Sequence, residues 1–362
     1  MNSEFNPFTR ALLYAPARLY AAGVRLRLAL YRNDLLKSHR LNAPVISVGN
    51  LTLGGTGKTP FTAFIARYLR DEGHSVAILS RGYKRSGSGR VEVSDEKSVL
   101  RGPLEAGDEP YLLAMACPGV RVLVDKDRYA AGRWLSGRTP ISAFVLDDAF
   151  QHLRLRRDLN LLLVDATEPL HKAEMFPLGR LREPLTGLRR ADAVIVTRSD
   201  QHFDRAAFES AIDRHCRKDT PVFYAYHEMT KLRPLTRMRC QGAGEVDLPL
   251  KVIRWDVAAV SGVARPGRFI SDLQRSGMAI ALRRDFRDHH RYTGEEFIEI
   301  IEQAQKVGAA AIVTTEKDAA NIPADVVRSS MLPVYAAQIE FRCEDEVRLK
   351  KLILNAVSNR RF

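Results

Sequence analysis

The sequence predicts an α/β protein with a mostly parallel sheet, helices on both of its faces, and a smaller second α/β domain. Short apolar runs alternate with helical patterns from residue 44 onward, as in repeated βα units. A glycine-rich segment follows the first of these runs, and two adjacent aspartates follow a later one. The 362 residues are enough for roughly two or three domains, each with its own core.

The amino-acid composition limits the kind of protein and the kind of binding partner to be expected. Apolar residues make up 45% of the chain and charged residues 27%, which is ordinary for a globular protein and excludes fibres and low-complexity tails. Lys and Arg number 56 against 43 Asp and Glu, and the net charge of +13 favours anionic partners. The four cysteines are far apart without a C-x-x-C pair, so a reducing cytoplasm fits better than a disulfide framework or zinc knuckle. We expect neither a spanning helix nor a cleavable signal peptide.

The strand candidates follow one another along the chain. In the first half they are Val45–Val48, Val76–Leu79, Val120–Val124, Ile141–Leu146, Leu161–Val164 and Val194–Val196. The pattern changes after Pro221, which predicts a domain boundary. The second series has strands near Val257–Val260, Met278–Leu282 and Ala310–Val313, and helices near Pro266–Ser276 and Gly294–Lys306.

Four regions follow from this division. We expect a basic N-terminal helix in residues 1–40, the larger domain in 41–225, the smaller domain in 226–340 and a C-terminal helix in 341–362. The segment Pro333–Phe341 alternates like a strand and is expected to pair with Val222–Tyr226 as a two-stranded linker. Glycines at Gly242–Gly244 predict a turn.

The N-terminal helix interleaves basic and apolar residues. Arg18, Arg25 and Arg32 recur every seven residues and would share one helical face. Two interpretations are open: a helix lying in an anionic membrane interface, or a basic helix docked on the protein's own core. Pro16 is expected to start this helix, because proline is tolerated in the first turn.

The strongest local signal is the strand, glycine-rich loop and helix that run from Val45 to Pro60. The run Gly-Gly-Thr-Gly-Lys-Thr is typical of a phosphate-binding P-loop, with Thr52 standing where the usual spacing has glycine. Backbone N–H groups of such a loop surround phosphate oxygens, the lysine reaches the terminal phosphates and the last threonine faces Mg²⁺. The alternative is a glycine-rich turn without a ligand. The predicted phosphate-binding residues are Gly54, Gly55, Thr56, Gly57, Lys58 and Thr59.

Two carboxylates, Asp147 and Asp148, stand at the end of an apolar strand, where a Mg²⁺-binding aspartate is expected. Adjacent residues of a strand point to opposite faces, so both can bind one ion only if the chain turns between them. Helix capping is the alternative role.

Other segments leave alternatives open. Thr197-Arg-Ser-Asp200 weakly resembles a guanine-reading motif, which leaves a GTPase of the metallochaperone or protein-targeting type as an alternative function. His289-His290 lacks a third metal ligand at a suitable spacing.

Asp108 is predicted to cap a helix, although it could still face a cleft. The loop Phe176–Pro184, with two arginines and a glutamate, is either plain surface or a phosphate or Mg²⁺ contact.

Taken in order, these segments resemble the tetraacyldisaccharide 4'-kinase family, the lipid A 4'-kinases of Gram-negative bacteria. The resemblance covers about residues 10–345. It rests on Ser47–Pro60, Ser80–Tyr83, Gly107–Pro110, Asp147-Asp148 with Gln151-His152, Leu178–Pro184, Asp288-His289 and Thr314–Asp318. Ala149 departs from the family, in which many members have glycine after the aspartate pair.

The resemblance implies roles for individual residues. Thr59, Asp147, Asp148 and Glu183 would surround Mg²⁺, and Gln151, His152 and Arg182 would line the nucleotide and phosphate site. Lys58 would be catalytic, as would Asp108 and His289, paired as a base and its orienting partner.

The resemblance also implies an activity and a location. The enzyme would transfer the γ-phosphate of ATP to the 4'-hydroxyl of a lipid disaccharide 1-phosphate, using Mg²⁺, as a peripheral protein on the cytoplasmic face of the inner membrane. We expect an anionic membrane surface as partner and no nucleic acid, since no nucleic-acid module is recognisable. The sequence identifies no protein partner.

Overall fold

The chain forms two compact α/β units. A computed structural model describes residues 6–83, 85–168, 170, 173–236, 247–250 and 253–358. The first unit contains residues 1–81, 119–226 and 341–362, and the second contains residues 82–118 and 227–340. The predicted turn at Gly242–Gly244 lies outside the described residues. The predicted domain boundaries and linker remain predictions.

The first unit is built on parallel strands whose residues are almost all buried. The strands are β1 Val45–Asn50, β2 Val76–Ser80, β4 Arg121–Val124, β5 Ala143–Leu146, β6 Leu159–Asp165, β7 Ala193–Thr197 and β8 Val222–Pro234, of which β8 continues into the second unit. Every residue of β1, β2, β5, β6 and β7 is buried, so helices and loops cover both faces of this sheet. The order of the strands in the sheet is β8-β7-β6-β1-β5-β2-β4.

The helices of the first unit follow the predicted βα alternation. Three helices succeed β1, β4 and β7 respectively, and a 3₁₀ helix precedes β7. The helices are α1 Pro7–Arg32, α2 Lys58–Asp71, α5 Arg128–Ser136, α6 Arg205–His215, α11 Glu346–Ser358 and the 3₁₀ helix Leu185–Arg190. The predicted α/β class with a mostly parallel sheet is confirmed.

The second unit has a smaller parallel sheet. The strands are β3 Val91–Ser94, β9 Leu248–Pro249, β10 Asp256–Ser261, β11 Ala279–Asp285, β12 Ala311–Thr315 and β13 Val334–Cys343; the helices are α3 Pro103–Ala106, α4 Asp108–Ala116, α7 Pro266–Arg275, α8 Gly294–Lys306, α9 Glu316–Ala319 and α10 Ala324–Ser329. Val257 and Ala259 point to the face covered by α7, whereas Ala258 and Val260 point to the face covered by α8. This alternation buries β10 on both sides. The order of the strands in this sheet is β11-β10-β12-β13.

Helix α1 packs on the first unit through one narrow face. Ala17 and Ala21 are buried, and their small side chains allow close approach. On the opposite side Phe8, Leu19 and Leu26 are 80%, 76% and 62% exposed. The helix is therefore docked on the protein and also carries an exposed apolar surface. None of the helices in the described residues combines the length and apolarity needed to cross a bilayer.

The expectation that Pro16 starts α1 is wrong. Asn6 caps the helix by accepting a hydrogen bond from the Thr9 N–H at 2.8 Å, and Pro7 occupies the first turn. Pro16 lies inside the helix, on its exposed side. Proline removes one N–H donor of the helix interior, and exposure allows water to hydrate the carbonyl that loses its partner.

Candidate active site

The glycine-rich loop connects β1 to α2 in the first unit. Gly57 adopts φ +83° immediately before Lys58, the first residue of α2, and Gly54 adopts φ +110°. Both values lie in the left-handed region, which glycine reaches without strain. A Cβ on Gly54 would meet Arg180 Nη2 at 1.8 Å, so a side chain at this position would displace the guanidinium of Arg180. The predicted strand–loop–helix is confirmed.

Lys58 lies at the start of α2, and its side chain points back toward the glycine-rich loop. Its Nζ donates to Asn50 Oδ1 at 3.3 Å and to the Gly54 carbonyl at 3.5 Å, and lies 3.7 Å from Asp148 Oδ1. The side chain of Lys58 is only 11% exposed. The cation is thus held between the loop and the end of β5.

The two aspartates after β5 have different environments. Asp147 is buried, and accepts hydrogen bonds from Thr62 Oγ1 at 3.1 Å and Ser80 Oγ at 3.3 Å. Asp148 adopts φ +44°, so the chain turns here. It faces Lys58 and Arg182, whereas Asp147 faces α2 and β2. The chain thus turns between the two carboxylates, and the two side chains have different neighbours.

Arg182 is the second cation on Asp148. Its Nη1 and Nη2 donate to Asp148 Oδ2 and Oδ1 at 3.1 and 2.9 Å, and Nη2 also contacts Asn50 Oδ1. Burial raises the pKa of Asp148, but the charge of Lys58 and the hydrogen bond and charge of Arg182 outweigh it and lower the pKa to about 2. Asp148 is therefore ionised at neutral pH. We call Asn50, Lys58, Asp148 and Arg182 the phosphate-side network.

Gln151 and Glu183 lie beside this network. Gln151 Nε2 donates to the Asn50 carbonyl at 2.9 Å and to Glu183 Oε1 at 2.8 Å. Glu183 is almost fully buried, and Arg190 Nη2 donates to its two oxygens at 2.9 and 2.7 Å. Glu183 thus links Gln151 to Arg190, a residue that no sequence motif indicated.

Some polar atoms here have no hydrogen-bond partner in the described part of the chain. They are Thr56 Oγ1, Gln151 Oε1, His152 Nε2 and Arg182 Nε, all buried. Burial and the charge of Arg128 lower the pKa of His152 to about 3, so its imidazole is neutral at pH 7. Buried polar atoms are normally satisfied, and such atoms around a loop of this kind fit a polar ligand.

The donors also fit a hard cation. Asp148 and the partly buried Thr59 hydroxyl offer oxygen atoms, which Mg²⁺ prefers, and Mg²⁺ commonly uses one or two carboxylates together with phosphates. Over the described ranges, no three His, Cys, Asp or Glu side chains are grouped to hold a metal ion by themselves. These residues fit a cation that arrives with a phosphate ligand.

A second pair of predicted residues meets in the second unit. His289 Nδ1 lies 2.7 Å from Asp108 Oδ2, although the two residues are 181 positions apart. His289 adopts φ +66°, a backbone conformation that is unusual for a non-glycine residue. His290 does not join it, because its Nε2 lies 2.7 Å from Glu296 Oε2. The two neighbouring histidines therefore contact different carboxylates.

The prediction that Asp108 caps a helix is wrong. Gly107 is the N-cap of α4, and Asp108 is the first helical residue, so its side chain is available to His289. Burial raises the pKa of Asp108, but hydrogen bonds from His289 and Asn321 and the charges of His289 and Lys317 outweigh it and lower the pKa. Lys317 Nζ also lies 2.5 Å from Asp288 Oδ1. The roles of Asn321 and Lys317 were not predicted, although Lys317 belongs to the Thr314–Asp318 motif.

Comparison with known proteins decides the family. A sequence profile described as Tetraacyldisaccharide-1-P 4'-kinase matches residues 9–358. This chain belongs to that family. The tetraacyldisaccharide 4'-kinase of Geobacter sulfurreducens is 40% identical over 342 residues, covering 94% of this chain and 91% of that one. The enzyme of the same name from Desulfotalea psychrophila is 38% identical over 322 residues, covering 88% and 89%.

A solved structure agrees with this family membership. A crystal structure of the "apo" form of LpxK from Aquifex aeolicus in complex with ATP is 33% identical to this chain, with a TM-score of 0.78. The structural match covers 96% of this chain and 99% of the Aquifex aeolicus chain. The resemblance to the tetraacyldisaccharide 4'-kinase family and the P-loop NTPase-like fold are therefore confirmed, whereas the roles of individual site residues remain predictions.

Proposed function

We propose that this chain transfers the γ-phosphate of ATP to the 4'-hydroxyl of a tetraacyldisaccharide 1-phosphate, in lipid A biosynthesis. The observation that carries the proposal is the phosphate-side network on the glycine-rich loop of a tetraacyldisaccharide-1-P 4'-kinase family member. The cations of Lys58 and Arg182 both face the carboxylate of Asp148. This arrangement suits phosphoryl transfer, which depends mainly on positioning the phosphates and neutralising their charge.

Lys58 and Arg182 bind and orient the phosphates in this proposal. Both cations already lie at the end of β1 and β5, so they need no large rearrangement to face a polyphosphate. Gly54, Gly55, Thr56 and Gly57 present backbone N–H groups to the same phosphates. Thr59 and Asp148 would hold Mg²⁺, and Asp147 and Glu183 would support the site from buried positions. Bound Mg²⁺ supplies neutralisation of the charge that develops on the phosphate oxygens.

The Asp108–His289 pair removes the proton of the acceptor hydroxyl. The hydroxyl oxygen forms the new P–O bond, the bond to the β-phosphate oxygen breaks, ADP leaves, and the proton passes to the pair. The lowered pKa keeps Asp108 ionised, and His289 orients its carboxylate through the 2.7 Å contact. Positioned acid–base groups of this kind contribute roughly 10²–10⁴-fold to rates.

Helix α1 associates the enzyme with an anionic membrane surface, where the acyl chains of the acceptor reside. Support comes from exposed apolar side chains, Phe8, Leu12, Leu19 and Leu26, beside exposed arginines such as Arg18 and Arg25. Tyr20 Oη donates to the Arg182 carbonyl at 3.0 Å, which links the helix to the phosphate-side network. A peripheral location on the cytoplasmic face of the inner membrane follows from this proposal.

The deciding experiment follows label from γ-labelled ATP into a tetraacyldisaccharide 1-phosphate in detergent, with Mg²⁺. We expect transfer by the wild-type chain, loss of transfer in Lys58→Ala, and full transfer in Lys97→Ala, which removes an exposed lysine of the second unit. γ-Labelled GTP should be a poor donor. Brisk GTP hydrolysis without lipid labelling would overturn the proposal in favour of a GTPase.

Membrane association is tested by sedimentation with vesicles of phosphatidylglycerol or of neutral phosphatidylcholine. We expect binding to the anionic vesicles only, and weaker binding in the Leu19→Asp/Leu26→Asp variant. Met331→Asp is the matched control, because Met331 is 90% exposed but lies outside α1. Equal binding by all three proteins would rule out α1 as the contact surface.

A further inference from the structure

The segment that weakly resembles a guanine-reading motif has no role in the proposed mechanism. Arg198 follows β7 directly and adopts φ +61°, which turns the chain at the edge where β6 and β7 end. Asp165, the last residue of β6, is the register partner of Thr197. The strand ends thus bring the guanidinium of Arg198 to the carboxylate of Asp165.

Arg198 contacts the glycine-rich loop. Its Nη1 pairs with Asp165 Oδ2, and its Nη2 donates to the Gly55 carbonyl at 2.7 Å. The side chains of Arg198 and Asp165 are 13% and 2% exposed. Asp165 Oδ1 accepts from the Thr167 N–H at 3.0 Å and the Thr167 hydroxyl at 2.7 Å, so the carboxylate is itself fixed.

The contact fixes the orientation of one peptide group. In a trans peptide the C=O and the following N–H point in opposite directions. A guanidinium held on the Gly55 carbonyl therefore directs the Thr56 N–H away from Arg198. Gly55 has open space around its Cβ position, so sterics alone do not hold this peptide.

We propose that Arg198, held by Asp165, is a positioning residue for the polyphosphate of the nucleotide, acting through the Gly55–Thr56 peptide rather than by reading the base. This inference rests on the proposed function for its ligand. An oriented backbone N–H is effective on an anion because no reorganisation is needed on binding. A lysine cannot replace Arg198 fully, since one ammonium nitrogen does not span Asp165 and Gly55 as a guanidinium does.

The test separates phosphate positioning from base reading and from folding. Affinities for ADP and AMP are measured by titration calorimetry without lipid, and KM and kcat for ATP and GTP in the transfer assay. The variants are Arg198→Ala, Arg198→Lys and Asp165→Asn. Arg217→Ala is the matched control, since Arg217 also joins a carboxylate, Asp192, and a backbone carbonyl, Ala191, at 2.6 and 2.9 Å.

We expect Arg198→Ala to weaken ADP binding and raise the KM for ATP by about 10-fold to 100-fold, as for loss of a charged hydrogen bond. AMP affinity, kcat and the ATP-to-GTP preference should change little. Arg198→Lys should lose less ADP affinity than Arg198→Ala. Asp165→Asn should weaken ADP binding in the same way as Arg198→Ala, and Arg217→Ala should bind ADP like the wild type.

Unchanged ADP affinity in Arg198→Ala and Arg198→Lys would overturn the inference, and so would a loss confined to the ATP-to-GTP preference. If Arg198→Ala does not fold, Arg198→Lys and Asp165→Asn decide. The proposed function is judged separately: wild-type protein that binds ADP but labels no lipid would refute the kinase proposal while leaving the ADP comparison valid.

Discussion

The phosphate-side network and the Asp108–His289 pair are built differently. In the first unit, two cations and the ends of two neighbouring strands surround Asp148. In the second unit, a carboxylate at the start of α4 meets one imidazole from a distant loop. The first arrangement shares charge among several partners, whereas the second depends on the placement of two side chains. Loss of one member should therefore have different consequences in the two places.

The largest effect is expected at Asp148. Asp148→Asn should lower kcat/KM by about 10²–10³-fold, as for loss of a preorganised electrostatic group. The Mg²⁺ concentration for half-maximal rate should rise, as measured by Mg²⁺ titration of transfer. Asp147→Asn is the contrasting variant. It should lower the free energy of unfolding by about 1–3 kcal/mol, because the hydroxyls of Thr62 and Ser80 lose a charged hydrogen-bond acceptor. The same Mg²⁺ dependence in both variants would remove the distinction between the two carboxylates.

The next effect is expected for the pair in the second unit. Asp108→Ala and His289→Ala should each lower kcat by about 10²-fold with little change in the KM for ATP. The double variant should lose little more than either single variant, because the two residues act as a unit. A double-mutant cycle on kcat measures this. Additive losses would show that the two residues act independently despite their 2.7 Å contact.

A smaller effect is expected from Lys317, which acts on Asp108 only through its charge. Lys317→Met should raise the pKa of Asp108, because a nearby cation favours the carboxylate form. The acid limb of the kcat/KM profile against pH should then move to higher pH. Asn321→Ala should move it in the same direction by removing a hydrogen bond to the carboxylate. A limb that moves to lower pH would contradict the assignment of Asp108 to that limb.

The last effect concerns stability rather than rate, and it is confined to acid pH. The pKa of His152 is about 3 in the folded protein, against an ordinary value of 6.5. Between these values the unfolded chain binds a proton that the folded chain does not, so stability is lost as pH falls from 6.5 toward 3. His152→Gln should weaken this dependence. Urea midpoints of both proteins at several pH values test it, and parallel curves would show that His152 does not contribute.

Much of the fold was accessible to sequence patterns because those patterns are local. Alternating apolar runs predicted the strands of both sheets, and glycine with lysine predicted the loop before α2. Strand β3 was missed because Val91–Ser94 is short and only half buried. Pro16 and Asp108 were misassigned, since a proline or aspartate favours a helix start without requiring it there.

The sequence by itself determined the class of fold, the glycine-rich loop and the chemical types that the site uses, because each depends on residues close together in the chain. The tertiary structure decided which partners meet. Arg198 reaches Gly55 across 143 positions, a contact that nothing in the sequence indicated. Asp108 reaches His289 across 181 positions, a pairing that only the family resemblance implied. Such pairs form where strand order and left-handed turns bring side chains together. Local propensity carries no information about contacts between segments that distant, so topology alone selects them.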